Sequence, residues 1–164
     1  MRQKTANTLL LCILLSSQVL AKSSDRNQAM DINADHSDAL LTDNGESSIS
    51  GNVVISQGSL QINADKAVIT RVKGDTSKVT LSGNPARMQQ MSDNGELMKA
   101  TAKQIVYYIS TEQINLLGSA VINQPRGSMR GEVIRYDIKS GRLTGGSVGS
   151  RIQMRLEPKT QVKK

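Results

Sequence analysis

Few side chains in this chain could do chemistry. The single histidine is His36, so a metal site or a general base would have to be built on it with Asp35 and Asp38. Three such residues in a polar segment are more typical of solvated surface. The single cysteine, Cys12, lies in an apolar run near the start, and the chain carries no nucleophile-elbow or glycine-rich phosphate motif. We therefore expect no enzyme, no bound metal and no cofactor.

The low aromatic content argues against one class of partner and leaves open how the interior of the protein is filled. The chain has no Trp and no Phe, and its three aromatic rings are Tyr107, Tyr108 and Tyr136. Because nucleic-acid binding modules stack bases on aromatic side chains, we expect no nucleic-acid partner. Large aromatics also fill many β-protein cores. Here either the core is thin and aliphatic, or the interior is not meant to be filled.

The first residues follow the pattern of a secretory signal. Arg2 and Lys4 precede an apolar run, Leu9–Leu15, and Val19-Leu20-Ala21 offers a cleavage site. The alternative, an uncleaved anchor, is disfavoured because the polar residues Ser16, Ser17 and Gln18 interrupt the apolar stretch. We expect four regions: a cleavable signal peptide over 1–21, a flexible leader over 22–29, a β domain over 30–156 and a basic disordered tail over 157–164.

Residues after Met30 form short alternating segments that predict an all-β fold. Asp43-Asn44-Gly45 and Asp93-Asn94-Gly95 are turn signals, and Lys73-Gly74-Asp75, Ser140-Gly141 and Gly145-Gly146 are further breaks. Between them, apolar residues alternate with polar ones, as in Leu60, Ile62 and Ala64. The phase then slips to Ala67 and Ile69, which predicts a bulge or corner near Asp65-Lys66. Pro85 suggests an edge strand or a strand start.

An internal repeat points to stacked units. The segment that begins Gly51-Asn52 is echoed by one that begins Gly118-Ser119, with a weaker copy at Gly83-Asn84-Pro85, so the spacings are 32 and 35 residues. Periods of this size indicate supersecondary units that bury a shared apolar face by stacking. We expect a trough-like or roll-like β structure with one apolar interior and open strand edges at its two ends.

Charge is unevenly distributed along the chain. Residues 22–50 carry a net charge of −4, and residues 142–164 carry a net charge of +5. One interpretation is a solvated face followed by a basic tail. The other is a pair of complementary ends, with Asp31 and Asp35 on one side and Arg151 and Arg155 on the other.

The segment from Gly51 to Arg71 resembles the signature repeat of the OstA-like family. Gly83-Asn84-Pro85-Ala86, Gln89 to Gly95 and Gly131 to Tyr136 continue the resemblance, which runs from about Met30 to Leu143. The predicted signal and the short length resemble the periplasmic bridge members of that family. The resemblance implies a twisted, open β-jellyroll of antiparallel strands that lies in the periplasm. It also implies binding of lipopolysaccharide through its lipid A and contact with the inner-membrane and outer-membrane OstA-like transport proteins. It further implies head-to-tail assembly into a bridge, and the complementary charges at the two ends of the chain would guide that self-association.

The resemblance and the alternating faces together give a set of expected site residues. Family motif positions that face lipid match Met30, Ile32, Met88, Tyr107 and Ile109, and an aromatic residue is more usual in the family where Met88 stands here. The same faces add Val53, Ile55, Leu60, Ile62, Ile105, Ile134 and Tyr136 to the expected acyl-chain groove. Arg71, Lys73, Arg126 and Arg130 are candidates to meet lipid phosphates. The alternative is a secreted β-solenoid or adhesin-like module with a packed interior.

Overall fold

The protein is one antiparallel β-sheet. The computed structural model describes residues 25, 27–39, 42–92 and 94–158, so the predicted signal peptide and residues 159–164 of the predicted tail lie outside the described residues. Ten strands form in this part of the chain: β1 (Asp31–Asn33), β2 (His36–Asp38), β3 (Gly45–Gln57), β4 (Leu60–Val72), β5 (Asp75–Met91), β6 (Leu97–Tyr108), β7 (Gln113–Gln124), β8 (Gly127–Asp137), β9 (Arg142–Gly145) and β10 (Gln153–Leu156). The all-β prediction is confirmed.

Sequential hairpins build the sheet. The strands lie in the order β1-β3-β4-β5-β6-β7-β8-β10, and β2 and β9 pair with β3 and β8. Several predicted breaks are turns between them. Lys73 and Gly74 join β4 to β5, both with positive φ, and Asn94-Gly95 lies in the connection from β5 to β6. Each long strand therefore pairs with its neighbour in sequence, as short turns require.

A line of register shifts crosses the middle of the five long hairpins. The ladder breaks between Ser50 and Val53, Asn63 and Lys66, Ser82 and Ala86, Thr101 and Gln104, and Leu117 and Ala120. The predicted slip near Asp65-Lys66 is confirmed as part of this line. Because bulges bend a strand, aligned bulges fold the whole sheet along one axis. We call the part of the sheet containing residues 45–50, 66–82, 104–117 and 133–137 layer A, and the part containing 53–64, 86–102 and 120–131 layer B.

The internal repeat marks this bend. Gly51 and Asn52 both adopt positive φ (78° and 45°), and Gly118 and Ser119 do so again two hairpins later (78° and 50°). Gly83-Asn84-Pro85 occupies the equivalent place in β5. The expectation that Pro85 begins a strand or lies at an edge was wrong, because it lies inside a central strand. A bulge leaves residues unpaired, so a residue without an N–H is tolerated there.

The two layers pack face to face around one core. Buried residues from both layers form a single apolar cluster, and Ile62, Leu81, Ile105, Leu116 and Ile134 are fully shielded from solvent. One face of a sheet cannot reach this degree of burial unless another layer covers it. The sequence left open whether the core is thin or the interior is unfilled. In the structure the interior is filled by aliphatic side chains, and Tyr107 and Tyr136 are its buried aromatic residues.

Short split strands finish both ends of the sheet. At one end, β1 pairs with layer B of β3 and β2 pairs with layer A of the same strand. At the other end, β10 pairs with layer B of β8 and β9 with layer A. Within the described residues, no helix is long and apolar enough to cross a membrane. The sequential hairpins, the bend and the short end strands together form an open, twisted β-jellyroll.

Candidate functional site: the apolar trough and its mouth

A continuous row of apolar side chains crosses layer B from edge to edge. Directly paired residues of antiparallel strands point to the same face, so the register defines the row. It runs through Ile32, Ile55, Ile62, Met88, Ala100, Ile122, Met129 and Met154, one residue from each successive strand. Its inner members are buried, whereas Ile32 and Met154 at the two ends are 37% and 60% exposed. The apolar interior therefore reaches both open ends of the sheet.

Layer A supplies the facing rows. One joins Leu81, Ile105, Leu116 and Ile134, and the next joins Ile69, Val79, Tyr107, Ile114, Tyr136 and Leu143. We call the space enclosed by the facing rows of both layers the trough. Its axis crosses the strands, as an interior shared by stacked hairpins must.

Most residues expected to face lipid are brought together in this trough. Val53, Ile55, Leu60, Ile62, Met88, Ile105, Tyr107, Ile134 and Tyr136 are buried core residues, and Met30 and Ile109 pack against the core while partly exposed. Ile32 lies on the same face at the open edge. Val106 is buried as well, but it does not belong to the core cluster and lies on the outer face of β6.

Several trough residues were missed from the sequence. Met98, Ala100 and Ala102 are buried with the core, and so are Ile122 and Met129. The signal was available in β6, where the alternation at 98, 100 and 102 slips by one residue to 105 and 107. Small residues such as Ala100 and Ala102 gave a weak apolar pattern, although their burial is as complete as that of the larger residues.

The rim opposite the bend is the mouth of the trough, where the turns of the two layers face each other. On its N-terminal side the layers are joined: Tyr107 Oη of layer A donates a hydrogen bond to Gln57 Oε1 of layer B at 3.1 Å. Gln57 Nε2 in turn donates to the Gln28 carbonyl at 3.2 Å. Asp25 Oδ2 accepts from the backbone N–H of Ser59 at 3.0 Å and from its hydroxyl at 2.5 Å. Residues just before β1 therefore lie across this part of the rim.

On its C-terminal side the mouth contains a cleft of about 400 Å³. The cleft lies between the β5–β6 and β7–β8 turns of layer B and the β8–β9 turn of layer A. Polar and charged side chains dominate its lining, which includes Gln90, Glu96, Arg126, Tyr136, Lys139 and Ser140. A smaller apolar cavity of about 130 Å³ lies beside it at the end of the trough, lined by Ile122, Met129, Leu143, Met154 and Leu156 among others.

The four cations expected to meet phosphate lie in three separate places. Arg71 and Lys73 are at the β4–β5 turn, where Arg71 Nη2 donates to the Gly74 carbonyl at 2.6 Å. Arg126 lines the cleft at the mouth and pairs through Nε with Glu96 Oε1 at 3.0 Å. Arg130 is exposed on the outer face of β8, beside a buried Met129. Only Arg126 of this set borders the cleft.

The β8–β9 turn holds one carboxylate in its charged form. The Ser140 hydroxyl donates to Asp137 Oδ1 at 2.6 Å, and the Ser140 backbone N–H donates to the same oxygen at 2.7 Å. These two hydrogen bonds, with smaller help from Lys139 and Arg142, lower the pKa of Asp137. The stability they contribute is present above the ordinary carboxyl pKa of about 3.9 and is lost as pH falls through the lowered value.

The candidate chemical residues near His36 are surface residues. His36 and Asp38 are exposed in β2, and Asp35 accepts a hydrogen bond from Asn52 Nδ2 at 2.8 Å. Within the described ranges, no group of three or more His, Cys, Asp or Glu side chains is placed to hold a metal ion.

The charged residues expected to guide self-association lie at opposite ends of the strand order. Asp31 is in β1 and Asp35 follows it at the bend, whereas Arg155 is in β10 and Arg151 precedes it. Arg155 Nε is 2.7 Å from Glu157 Oε1, so part of its charge is balanced within the chain.

Comparison with known proteins gives this fold a family. Residues 31–142 match the family model described as "LptA/(LptD N-terminal domain) LPS transport protein". The chain is 33% identical over 168 residues to the lipopolysaccharide export system protein LptA of Escherichia coli (strain K12), covering 96% of this chain and 90% of that protein. It is 32% identical over 160 residues to the lipopolysaccharide export system protein LptH of Pseudomonas aeruginosa, covering 92% and 91% of the two chains.

A solved structure agrees with the sequence matches. The crystal structure of Pseudomonas aeruginosa LptH, described as the LptA-homologous periplasmic component of a lipopolysaccharide transport device, superposes with a TM-score of 0.74 at 26% identity. The match covers 82% of this chain and 99% of that one. The family-model match spans β1 to the start of β9, and the chain belongs to the LptA/LptD N-terminal-domain family of lipopolysaccharide transport proteins.

Proposed function

We propose that this protein is a periplasmic bridge that carries lipopolysaccharide between the inner and outer membranes, with lipid A acyl chains held in the trough. The observation that carries the proposal is the apolar row of layer B, which runs through all eight strands of that layer from Ile32 to Met154 and is exposed at both ends. A closed binding pocket does not require apolar residues that are exposed at both ends of the sheet. A conduit needs them, because the lipid has to enter at one end and leave at the other.

The filled interior sets how tightly such a conduit holds lipid. Each CH₂ group transferred from water to an apolar site contributes roughly 0.8 kcal/mol, so full burial of several acyl chains in an empty groove would make release very slow. Here the trough residues already bury one another. An entering acyl chain replaces contacts between the layers with contacts to lipid, so part of the gain is offset. A lower net affinity is what transfer of the lipid to the next protein requires.

The two layers can separate without breaking the sheet. Backbone ladders run within each layer and continue through the bend. At the mouth, side-chain contacts such as the Tyr107–Gln57 hydrogen bond hold the layers together. Opening the mouth to admit an acyl chain therefore costs side-chain contacts, which are weaker than ladder hydrogen bonds lost without replacement.

The outer edge of β10, which no strand of the described residues covers, supports self-association. The backbone N–H of Glu157 donates to the Arg126 carbonyl at 3.0 Å. Since alternate residues of a strand direct their backbone groups to the same side, the N–H groups of Met154 and Leu156 point away from β8. An edge of this kind accepts a strand from another chain. We infer head-to-tail contact between β10 of one copy and β1 of the next, which would join their apolar rows. The inner-membrane and outer-membrane transport proteins of the family would use the same edges.

A packed structural module is the second candidate, and the complete burial of the trough residues favours it. Co-elution separates the two. The purified exported chain is mixed with lipopolysaccharide or with the same polysaccharide stripped of its acyl chains, and each mixture is passed over a sizing column. The transport proposal predicts that only the acylated form travels with the protein. If neither form co-elutes, the interior is a packed core and the transport proposal fails.

A further inference from the structure

The cleft on the C-terminal side of the mouth contains a buried acceptor with no donor. Gln90 is 5% exposed and lines the cleft, and its Oε1 has no hydrogen-bond partner among the described residues. A buried polar atom without a partner loses its hydration and gains nothing in return. Such atoms are uncommon in native structures, and this one borders a space of about 400 Å³.

The surroundings of Gln90 define which ligand could supply the donor. The cleft is within the range of about 300–1,000 Å³ that small-ligand sites occupy. Tyr136 borders it from the apolar core, and the cavity beside it is lined by Ile122, Met129 and Leu143. A group bound here would therefore have one side against polar turns and the other against the apolar trough. This is the situation of a polar headgroup whose acyl chains enter the interior.

Two basic side chains, Arg126 and Lys139, lie on the rim of the cleft, each in one of the turns that border it. The Arg126 side chain is 77% exposed and uses Nε for Glu96, and a guanidinium has four further N–H donors. Lys139 lies on the opposite rim, in the β8–β9 turn. The lining also contains two carboxylates: Asp25, whose Oδ2 accepts hydrogen bonds from Ser59, and Glu96, which is paired with Arg126. A phosphate between the two rims would therefore take the place of Glu96 on Arg126, and this exposed pair costs little to rearrange.

We infer that this cleft binds the hydroxylated, phosphorylated sugar headgroup of an acylated glycolipid, with Gln90 Oε1 accepting a hydrogen bond from a sugar hydroxyl or amide N–H. Arg126 and Lys139 face the headgroup phosphate. The inference rests on the proposed function and adds to it a place for the headgroup, which fixes the lipid's orientation at the C-terminal side of the trough.

A matched pair of variants tests the acceptor. Gln90→Leu keeps the size of the side chain and removes the acceptor, whereas Gln89→Leu makes the same change one residue earlier, where Gln89 Nε2 donates to Gln61 Oε1 at 2.8 Å on the outer face. Affinity of the full exported chain for lipid A is measured by isothermal titration calorimetry. We expect Gln90→Leu to weaken binding about three- to tenfold, the effect of one hydrogen bond, and Gln89→Leu to leave it unchanged. Thermal stability of Gln90→Leu should equal or exceed that of the wild type.

The phosphate contact has its own readout. Arg126→Gln combined with Lys139→Gln should weaken binding of bisphosphorylated lipid A more than binding of the same lipid after removal of one phosphate. If Gln90→Leu binds lipid A as the wild type does, Gln90 serves only water in the cleft and the headgroup site is wrong, while the transport proposal stands. If the wild type binds neither lipid, the proposed function and this inference fail together.

Discussion

Tyr107 and Gln57 are 50 residues apart in sequence, yet the Tyr107 hydroxyl donates a hydrogen bond to Gln57 Oε1 at 3.1 Å across the mouth of the trough. One residue belongs to β6 in layer A and the other ends β3 in layer B. The bond therefore links the two layers at the mouth, in addition to the packed core and the bend. It lies where the transport proposal requires an acyl chain to pass.

Removal of the Tyr107 hydroxyl should loosen the mouth. We expect Tyr107→Phe to lower the free energy of unfolding by about 1 kcal/mol, the usual net value of one hydrogen bond, and to speed amide exchange near Gln57. Tyr108→Phe is the matched control, because its ring is on the opposite face of β6 and half-exposed. Urea titration with hydrogen-exchange mass spectrometry measures both effects. Equal losses from the two substitutions would show that the contact across the mouth has no special weight.

The bend should be sensitive to a Cβ atom at Gly51. This residue has φ +78°, and an added Cβ would lie 2.6 Å from Asp35 Oδ2 and 2.9 Å from Asp35 Cβ. Gly95 has nearly the same φ, +77°, but no atom within 4 Å of the added position. Gly95→Ala should therefore lose only the backbone term of about 1–2 kcal/mol, and Gly51→Ala should lose more. Thermal unfolding compares them, and a Gly51→Ala variant as stable as Gly95→Ala would contradict a tightly packed bend.

Self-association should depend on the exposed apolar residues of β10. Leu156 is 77% exposed on the final strand, and Val148 is fully exposed in the preceding loop. We expect the apparent mass of the wild type to rise with protein concentration without settling at a dimer, because a head-to-tail contact does not close on itself. Leu156→Glu should abolish the rise, and Val148→Glu should preserve it. Sedimentation velocity over a wide concentration range gives the answer, and a constant wild-type mass would count against assembly.

Charge at the two ends should steer that contact. We expect reversal of Arg151 and Arg155 to Glu to weaken association at low salt, and Asp31→Lys in the same chain to restore part of it. Asp35 is left unchanged because it accepts the Asn52 hydrogen bond at the bend. Surface charges are screened beyond about 8 Å at physiological salt, so the effect should fade as salt is added. Assembly that is unaffected by the reversal at low salt would assign these charges to solvated surface.

Much of the fold could be predicted because side chains along a strand alternate between the two faces of the sheet, and this alternation is visible in the sequence. Alternation at Leu60, Ile62 and Ala64 followed by a slip to Ala67 located one bulge. The repeat of Gly51-Asn52 at Gly118-Ser119 predicted stacked units, and only the structure shows that both copies lie at the bend. The place of Pro85 was not predictable from the same evidence. A proline is compatible with an edge or with a bulge, and only the neighbouring strands decide between them.

The mouth could not be predicted because it depends on which turns face each other after the sheet folds. Gln90 is a polar residue in an alternating strand, and nothing in its sequence neighbours indicates that its carbonyl oxygen is buried without a donor. The grouping of Arg126 with Lys139 likewise requires the bend, since they lie in turns of different layers. Sequence pattern gave the faces of individual strands, and the packing of layer A on layer B determined what those faces enclose.

Photo-crosslinking tests most directly whether acyl chains lie between the layers. A photoreactive side chain is introduced singly at Tyr107, Ile109 or Tyr108, and each protein is irradiated with lipopolysaccharide. Tyr107 and Ile109 point into the trough, whereas Tyr108 points outward, because successive residues of a strand face opposite sides. The account predicts lipid adducts at Tyr107 and Ile109 and none at Tyr108. Equal labelling at Tyr107 and Tyr108, or labelling at Tyr108 alone, would contradict a lipid path through the interior.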